Sequence, residues 1–435
     1  MPVPTWRLAV VAAALSPLLL VLPGDGWVRV IAVNAILLAV AVADAAVAPT
    51  PSRVSVERSL PGVLSLGATA DVAWTVANPL SRSLTVRLAD QLAPSLGAET
   101  RRVRMKVPAK GRGTATTAIR PARRGRFDIT DLTVRVDGPL GLAARQRTRA
   151  LPSVLRVLPP FKSRDEAELR INRARILEVG LRSAQGRGGG TEFEQLREFS
   201  PDDEFRRIDW SATARTAKLI VRTYRAERNQ TVLLLLDSGR VMAGQVDGVP
   251  RLEHAMDAVM MMTAVTTRLG DRAGLLAFGR QVRAVVPPSG GGSQLPRIVD
   301  AMYDLDAELA ESDYRAAFSE TMTRFRRRAF VVLLTELTEP VIAETLLPAL
   351  PAMVRHHLVL VAGVRDPDVV GWARSVPTDA GEAYRKAAAV SAIDYRRRAI
   401  ARLQGMGASV IDAPPGRLAP ALADAYLKVK ATGRL

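Results

Sequence analysis

The sequence predicts a mixed α/β protein. Its carboxyl-terminal half forms a doubly wound, mostly parallel sheet, and an all-β sandwich and an apolar helical hairpin precede it. Three observations predict this order. Two apolar runs occupy residues 1–48, and short alternating runs separated by Gly, Pro and Asn occupy residues 51–160. From residue 231 onward, continuous apolar segments alternate with longer helical patterns, as in parallel sheets covered on both faces.

Length and composition limit the possibilities. A chain of 435 residues is long enough for two or three domains with sizeable cores. We place their boundaries at 1–50 (hairpin), 51–160 (sandwich), 161–230 (linker helix and a charged segment) and 231–435 (α/β domain). The absence of cysteine excludes disulfides and thiolate metal sites. The net charge of +18 calls for an anionic partner or surface.

The amino-terminal apolar runs, 8–22 and 30–47, predict a transmembrane hairpin of two helices. Eighteen helical residues rise about 27 Å, close to the ~30 Å hydrocarbon core of a bilayer. A cleaved signal peptide is the alternative, and the second apolar run argues against it. Arg7, Arg53 and Arg58 flank the hairpin and favour both of its ends in the cytoplasm. We therefore expect a multi-pass protein of a bacterial cell membrane with cytoplasmic soluble domains.

The sandwich region is strongly basic. Its strand candidates are 71–76, 84–88, 102–107, 114–119, 127–129 and 132–136, a spacing typical of an immunoglobulin-like sandwich. Residues 51–160 hold 19 Lys and Arg against 7 Asp and Glu, a net charge of +12. Two interpretations remain open, contact with anionic lipid headgroups and a basic surface that only aids solubility. Nucleic acid is not an expected partner, because no nucleic-acid-binding motif accompanies the charge.

Residues 191–227 mix opposite charges with large aromatic side chains, and neither a helical nor a strand period fits the whole segment. We interpret it as a loop folded by arginine–carboxylate pairs, which bond in a planar, bidentate geometry. The alternative is a paired-carboxylate catalyst made from Asp202, Asp203 and Asp209. The neighbouring arginines favour structural ion pairs instead.

Fourteen residues of this segment fit the pattern E-F-x-x-L-R-E-Y-x-P-G-D-x-x-R-x-I-D-W-x-x-x-A-R, with Phe199 in place of Tyr and Asp202 in place of Gly. The chain therefore resembles the bacterial domain-of-unknown-function family fifty-eight, whose members carry a von Willebrand factor A-like domain. The resemblance implies a MoxR-type AAA+ ATPase and a client protein as partners. The signature residues that would form the partner surface are Glu192, Phe193, Arg197, Glu198, Pro201, Asp203, Arg206, Asp209, Trp210, Arg215 and Arg222.

The same resemblance implies a metal site with the pattern D-x-S-x-S after the first strand of the α/β domain. Asp237 matches its acidic residue, but Gly239 and Val241 stand where the two hydroxyls belong. Mg²⁺ prefers several oxygen ligands. With both hydroxyls missing, the expected metal ligands are only Asp237, Glu336 and a loop hydroxyl from Ser289. The alternative is that Asp237 and Glu336 pair with Arg240 or another nearby base.

We therefore expect a membrane-anchored scaffold or adaptor without catalytic activity. We expect no cofactor, except for a divalent cation such as Mg²⁺ if the incomplete metal site binds one. The glycine-rich stretch 186–190 lacks the Lys-Ser or Lys-Thr ending of a phosphate-binding loop, so ATP hydrolysis would come from the partner. His254, His356 and His357 form no recognisable catalytic motif. The alternatives are a divalent-metal-dependent ligand-binding or adhesion domain and a hydrolase that uses the acidic segment.

Overall fold

A computed structural model of the chain describes residues 1–17, 25–184, 192–201, 203, 205, 208–225, 229–338 and 342–432. The chain forms two compact units, Met1–Leu158 and Pro159–Leu435, which are described separately. The mixed α/β class is confirmed, with several sheets and an apolar helix near the amino terminus.

The first unit begins with a short strand β1 (Pro2–Pro4) and the helices α1 (Trp6–Leu15) and α2 (Gly26–Val47). The helical stretch that contains α2 is long and apolar enough to cross a bilayer, with a mean hydropathy of 2.4 over its most apolar window. Helix α1 has 10 residues, about half of what a span needs. Residues 18–24, which include the end of the first apolar run, lie outside the described residues. The second span of the hairpin therefore stays a prediction.

Two β-sheets complete this unit and share one apolar core that contains the fully buried Trp74. One sheet has the order β1-β9-β8-β5-β6, with β3 also paired to β9, and the other has the order β2-β4-β7. The strands are β2 (Ser55–Ser59), β3 (Val63–Ser65), β4 (Ala70–Ala77), β5 (Leu84–Asp90), β6 (Arg102–Val107), β7 (Arg112–Ile119), β8 (Gly125–Asp137) and β9 (Ala143–Leu158). Two predicted strands merge into β8, and the 16-residue β9 was not predicted.

The second unit contains a six-stranded sheet of order β16-β15-β12-β17-β18-β19, in which only β16 is antiparallel to its neighbour. Its strands are β12 (Thr231–Asp237), β15 (Arg272–Phe278), β16 (Val282–Ser289), β17 (Phe330–Leu334), β18 (Leu358–Val364) and β19 (Ser409–Ala413). Smaller hairpins are formed by β10 (Glu192–Glu198) with β11 (Ile220–Arg225), and by β13 (Gln245–Val246) with β14 (Val249–Pro250).

The helices of this unit are α3 (Arg164–Ala184), α4 (Trp210–Thr216), α5 (Arg251–Arg268), α6 (Gln294–Met302), α7 (Tyr314–Arg324), α8 (Leu347–His356), α9 (Pro367–Arg374), α10 (Ala380–Gly405) and α11 (Leu418–Ala431). Helix α8 follows a π-helical turn, Ile342–Leu346, and Pro348 occupies the first turn of α8, a position that proline favours.

Alternate residues of β12 serve two different cores. Val232, Leu234 and Leu236 join the core that includes α5, α6 and α11. Leu233 and Leu235 join the one that includes α7, α8 and α10. Helices thus cover both faces of the sheet, which explains the unbroken apolar sequence of its strands. The carboxyl ends of β12, β15, β17 and β18 meet at one edge, where ligands bind in sheets of this type.

Candidate functional site

Asp237 ends β12 at this edge and is fully buried. Its Oδ1 accepts hydrogen bonds from Ser312 Oγ at 2.5 Å and from the Gly239 N–H at 2.8 Å. Its Oδ2 lies 2.7 Å from the Tyr314 hydroxyl and 2.6 Å from Thr335 Oγ1. These two hydroxyl oxygens are also 2.7 Å apart, so the two hydroxyl protons are shared among three oxygens at hydrogen-bond distance from one another. Protein donors therefore surround both oxygens of the carboxylate.

Tyr314 contributes a phenol that stays protonated. Burial raises the pKa of Tyr314 well above its ordinary value, and the charge of Asp237 raises it further. A phenol close to a buried carboxylate loses its proton with difficulty, because two negative charges would then share a site shielded from water. Tyr314 therefore acts in this cluster as a fixed donor and not as a base.

Ser312 supplies a hydroxyl at the place of the first serine of the D-x-S-x-S pattern, where this sequence has Gly239. A Cβ atom added at Gly239 would lie 2.0 Å from Ser312 Oγ and 3.0 Å from the carbonyl oxygen of Ala310. A serine at 239 and the present Ser312 cannot coexist without movement. The hydroxyl of Ser238 donates to the carbonyl of Phe278 at 2.9 Å, so it serves the neighbouring strand and not Asp237.

Glu336 lies among arginines. Its Oε2 is 3.1 Å from Arg251 Nε, at ion-pair distance but without hydrogen-bond alignment, and its Oε1 accepts from Arg396 Nη1. Arg396 also donates to Asp412 from Nη2 at 2.8 Å. Burial alone would lower the pKa of Arg396, but the two carboxylates together raise it above its ordinary value. Arg240 pairs instead with the exposed Glu311 at 3.0 Å.

Ser289 lies at the opposite edge of the sheet. It ends the antiparallel β16 and pairs with Ala273 at the start of β15, whereas Asp237 pairs with Phe278 at the end of β15. Five strand residues separate these positions by roughly 17 Å. The structure therefore does not bring Asp237, Glu336 and Ser289 together. The alternating pattern of β16 does not reveal the direction of the strand, and it is this direction that places Ser289 at the far edge.

The oxygen groups around Asp237 do not fit the magnesium site that the resemblance implies. Mg²⁺ takes close to six oxygens in near-octahedral geometry. Asp237 is bonded by protein hydroxyls, and Glu336 is held by two arginines. Within the described ranges, no group of three or more His, Asp or Glu side chains is placed to hold a metal ion. The edge is a closed hydrogen-bond cluster.

Sequence reasoning missed Ser312 and Tyr314. Both lie near the start of α7, where Asp313 caps the helix by accepting the Ala316 N–H at 2.9 Å. A Ser-Asp-Tyr sequence before a helical pattern is a recognisable capping signal. It locates the helix start, but only the tertiary fold brings that start to the end of β12.

The charged segment forms a second candidate site. It was interpreted as a loop, but its ends form the antiparallel pair β10–β11, with α4 between them. A register shift between Phe193 and Gln195 breaks the alternation of β10, which hides the strand period in the sequence. The segment is therefore a small folded unit.

Two arginine–carboxylate pairs hold this unit together. Arg197 binds the buried Asp203 bidentately, with distances of 2.6 and 2.7 Å, and the hydrogen bond to Asp203 raises the pKa of Arg197. Asp209 caps α4 by accepting the Ala212 N–H at 3.0 Å, and it accepts from Arg222 Nε at 2.7 Å. These two bonds, that from Arg222 first, lower the pKa of Asp209. Asp209 thus stays ionised as a structural group.

Large aromatic side chains lie exposed on the same unit. Phe205 is 72% exposed and Trp210 is 68% exposed, although both sit beside buried carboxylates. The Phe205 ring contacts that of Phe199 at a centroid distance of 5.3 Å. Exposed aromatic residues at fixed positions are typical of protein interfaces. The charged residues build this unit, and the aromatic residues are presented outward.

The remaining signature residues are placed as follows. Glu192 and Phe193 lie in β10 opposite Arg225 and Tyr224. Glu198 pairs with Lys218, Arg215 donates to the Ser211 carbonyl at 3.2 Å, and Pro201 is exposed. Arg206, Asp202 and the glycine-rich stretch 186–190 lie outside the described residues.

His254 is half-buried and His357 is buried. His254 Nε2 lies 3.3 Å from the Val246 carbonyl oxygen. Burial lowers the pKa values of both His254 and His357. Both rings are therefore neutral at pH 7, and the four hydrogen bonds to Asp237 come from other residues.

Residues 195–383 match the model of a family described as "Protein of unknown function DUF58". Uncharacterized proteins of Mycobacterium bovis and Mycobacterium tuberculosis are each 27% identical to the chain over 183 residues. That alignment covers 41% of this chain and 56% of each relative, so the chain spans about half the length of the curated relatives it matches. The match begins within β10 and includes the Asp237 cluster.

Among solved structures, the CARDB domain of a Pyrococcus furiosus protein resembles part of the chain. The likeness covers 22% of this chain and 93% of that domain, at 12% identity and a TM-score of 0.16. At that score the likeness carries no argument about fold or function.

Proposed function

This chain belongs to the DUF58 family through residues 195–383, and we propose that it is a membrane-anchored, non-catalytic adaptor for partner proteins. Helix α2 would hold it in the membrane. The β10–α4–β11 unit and the α/β domain, which we take to be von Willebrand factor A-like, would bind the partners.

The observation that carries the proposal is the contrast within the β10–α4–β11 unit. Asp203 and Asp209 are buried and paired with arginines, whereas Phe205 and Trp210 are more than two-thirds exposed. An aromatic side chain held by a rigid frame loses little conformational entropy on binding and buries a large area. Such residues often supply most of the binding energy of an interface.

The Asp237 cluster supports an adaptor more than an enzyme. Its one carboxylate is saturated by hydroxyls and an N–H, and its tyrosine is held protonated. A general base or a nucleophile needs a free lone pair or an activated proton. The hydrolase alternative has less support for the same reason, because Asp203 and Asp209 are already bound by arginines.

The partner we propose is a MoxR-type AAA+ ATPase acting on a client protein, in protein maturation or complex assembly. Support comes from the family resemblance, an argument by analogy. The ATPase would supply the nucleotide chemistry, because the sequence of this chain contains no phosphate-binding loop. The adaptor would hold that activity at the membrane surface.

Affinity capture of the detergent-solubilised full-length protein, followed by mass spectrometry, tests this function. We expect a MoxR-type ATPase to be retained by the wild-type protein and lost with Trp210→Ala. Trp372→Ala is the matched control, since Trp372 is a partly exposed tryptophan on α9, 42% accessible. Retention should not require added Mg²⁺ beyond the needs of the ATPase itself. Equal capture by the Trp210→Ala variant, or no ATPase in any sample, would contradict the proposal.

A further inference from the structure

The end of α2 is locked to the sandwich by Asp44. This carboxylate is 2% exposed and accepts three backbone N–H bonds, from Leu140 at 2.8 Å, Leu142 at 2.8 Å and Ala143 at 2.9 Å. A Cβ at Gly138 would lie 2.5 Å from the carboxylate, so the close approach requires glycine there. The loop 138–142, between β8 and β9, is thus fixed against the helix.

Two further loops are bonded to the same helix end. Arg82 Nη2 donates to the carbonyl oxygen of Val47, the last residue of α2, at 2.6 Å. Asn78 Nδ2 donates to the carbonyls of Arg82 and Pro108, both at 2.8 Å. The loops 78–83 and 108–111 are therefore bonded to each other at the point where the apolar helix ends.

We name the three loops 78–83, 108–111 and 138–142, together with Arg112 at the start of β7, the helix-end patch. Their sequence contains Arg82, Lys110 and Arg112 but no Asp or Glu, and these three cations are exposed. The nearest acidic residue of β8, Asp137, is buried and paired with Arg87 at 2.8 Å. The positive charge of the patch is therefore not cancelled by its own loops.

The patch also exposes an apolar side chain. Leu140, whose N–H donates to Asp44, is 60% exposed. Basic residues combined with an exposed apolar side chain are typical of surfaces that rest at the boundary between headgroups and acyl chains. The adjoining helix carries the exposed apolar residues Val42 and Val47 in its last turns.

We propose that the helix-end patch binds the headgroup of an anionic phospholipid. Lys110 and Arg112 would contact the phosphate, and Leu140 would lie among the upper acyl carbons. The inference rests on the proposed membrane anchoring by α2, since the helix brings the patch to the bilayer surface. Basic residues close to an anionic surface each strengthen binding about fivefold. The locked junction keeps these charges at one depth.

The test uses the full-length protein in dodecyl maltoside, titrated with fluorescent phosphatidylglycerol and, separately, with fluorescent phosphatidylcholine. We expect tighter binding of phosphatidylglycerol by the wild-type protein. Lys110→Gln with Arg112→Gln should weaken it about 25-fold, from two charges at about fivefold each. The matched control is Arg101→Gln with Arg102→Gln, which removes the same charge from the opposite end of β6 and should leave binding unchanged.

Inorganic phosphate at constant ionic strength distinguishes a lipid from a free anion. If the lipid is the ligand, phosphate should displace the probe no better than chloride does. Displacement by phosphate, an equal effect of the control pair, or equal binding of both lipids would overturn the inference. Carbonate extraction of cell membranes tests anchoring on its own, so failure of the lipid titration with intact anchoring rejects the patch alone.

Discussion

Ser312 donates a hydrogen bond to Asp237 from the space that a side chain at Gly239 would fill. The bond joins two residues that lie 75 positions apart in the sequence. The chain lacks the serine of the D-x-S motif at position 239, and Ser312 supplies a hydroxyl at that place from a different loop. This hydroxyl donates to the carboxylate, so the oxygens of Asp237 are bonded by donors of the protein itself.

We predict that Gly239→Ser destabilises the α/β unit through a collision with Ser312. The 2.0 Å approach is far below any normal contact, so the loop before α7 must move. The melting temperature of the full-length protein in detergent should fall by several degrees. Adding Ser312→Gly should restore most of the loss, because the new hydroxyl then takes over the bond to Asp237. Equal melting temperatures for the single and double variants would contradict this account.

We predict that wild-type stability is independent of divalent cations. A ligand that binds only the folded state raises the melting temperature as its concentration increases. Because Asp237 and Glu336 are bonded within the protein, millimolar Mg²⁺ and EDTA should give the same unfolding curve. A rise with Mg²⁺ that disappears in Asp237→Asn would show that the cluster opens to bind metal.

We predict that substitution of Trp210 impairs partner binding and that substitution of Asp209 impairs stability. Trp210→Ala should change the melting temperature little, since the side chain is 68% exposed. Asp209→Asn should lower it, because the variant loses the charge that caps α4 and binds Arg222. Differential scanning fluorimetry of both variants checks the pair. A larger loss for Trp210→Ala would show that the tryptophan is a structural latch and not a binding residue.

We predict that the contribution of Asp209 to the stability of the folded protein depends on pH. Arg222 and the α4 N–H groups lower the folded-state pKa of Asp209 below its unfolded value of about 3.9. Its stabilisation is then fully present above pH of about 4 and is lost as the pH falls through the folded pKa. The difference in melting temperature between wild type and Asp209→Asn should stay constant from neutral pH down to about pH 5 and shrink below. A difference that shrinks already between neutral pH and pH 6 would contradict this assignment.

Local pattern was enough to locate much of this architecture. The unbroken apolar run of β12 predicted a strand buried on both faces, and Asp237 marked its carboxyl end. The dense arginines and carboxylates of residues 191–227 predicted ion pairs, as between Arg197 and Asp203. These features depend on residues close together in the chain.

What failed depended on strand direction and distant contacts. Periodicity places β16 but does not say that it runs antiparallel, and that direction moves Ser289 to the far edge. The bulge in β10 concealed a hairpin, since one extra residue inverts the alternation. No local signal links Asp44 to the loop 138–142, because the three N–H bonds join positions almost 100 residues apart.

The sandwich should depend strongly on one buried ion pair. Arg58 and Asp90 are 0% and 1% exposed, and the Trp74 Nε1 also donates to Asp90 at 2.6 Å. Asp90→Ala would leave the guanidinium buried without its partner, which costs about 3–5 kcal/mol. Hydrogen exchange of β4 and β5 amides in the full-length protein should therefore accelerate by roughly two to four orders of magnitude.

The control for this prediction is Asp71→Ala, which removes an exposed carboxylate from β4 and should leave exchange unchanged. Arg58 also donates to the carbonyls of Ile129 and Leu151, at 3.1 and 2.7 Å. These bonds orient the guanidinium but do not neutralise its charge, so they cannot replace the carboxylate. If Asp90→Ala exchanged like the control, water would have to reach Arg58 in the variant, and the pair would contribute little to stability.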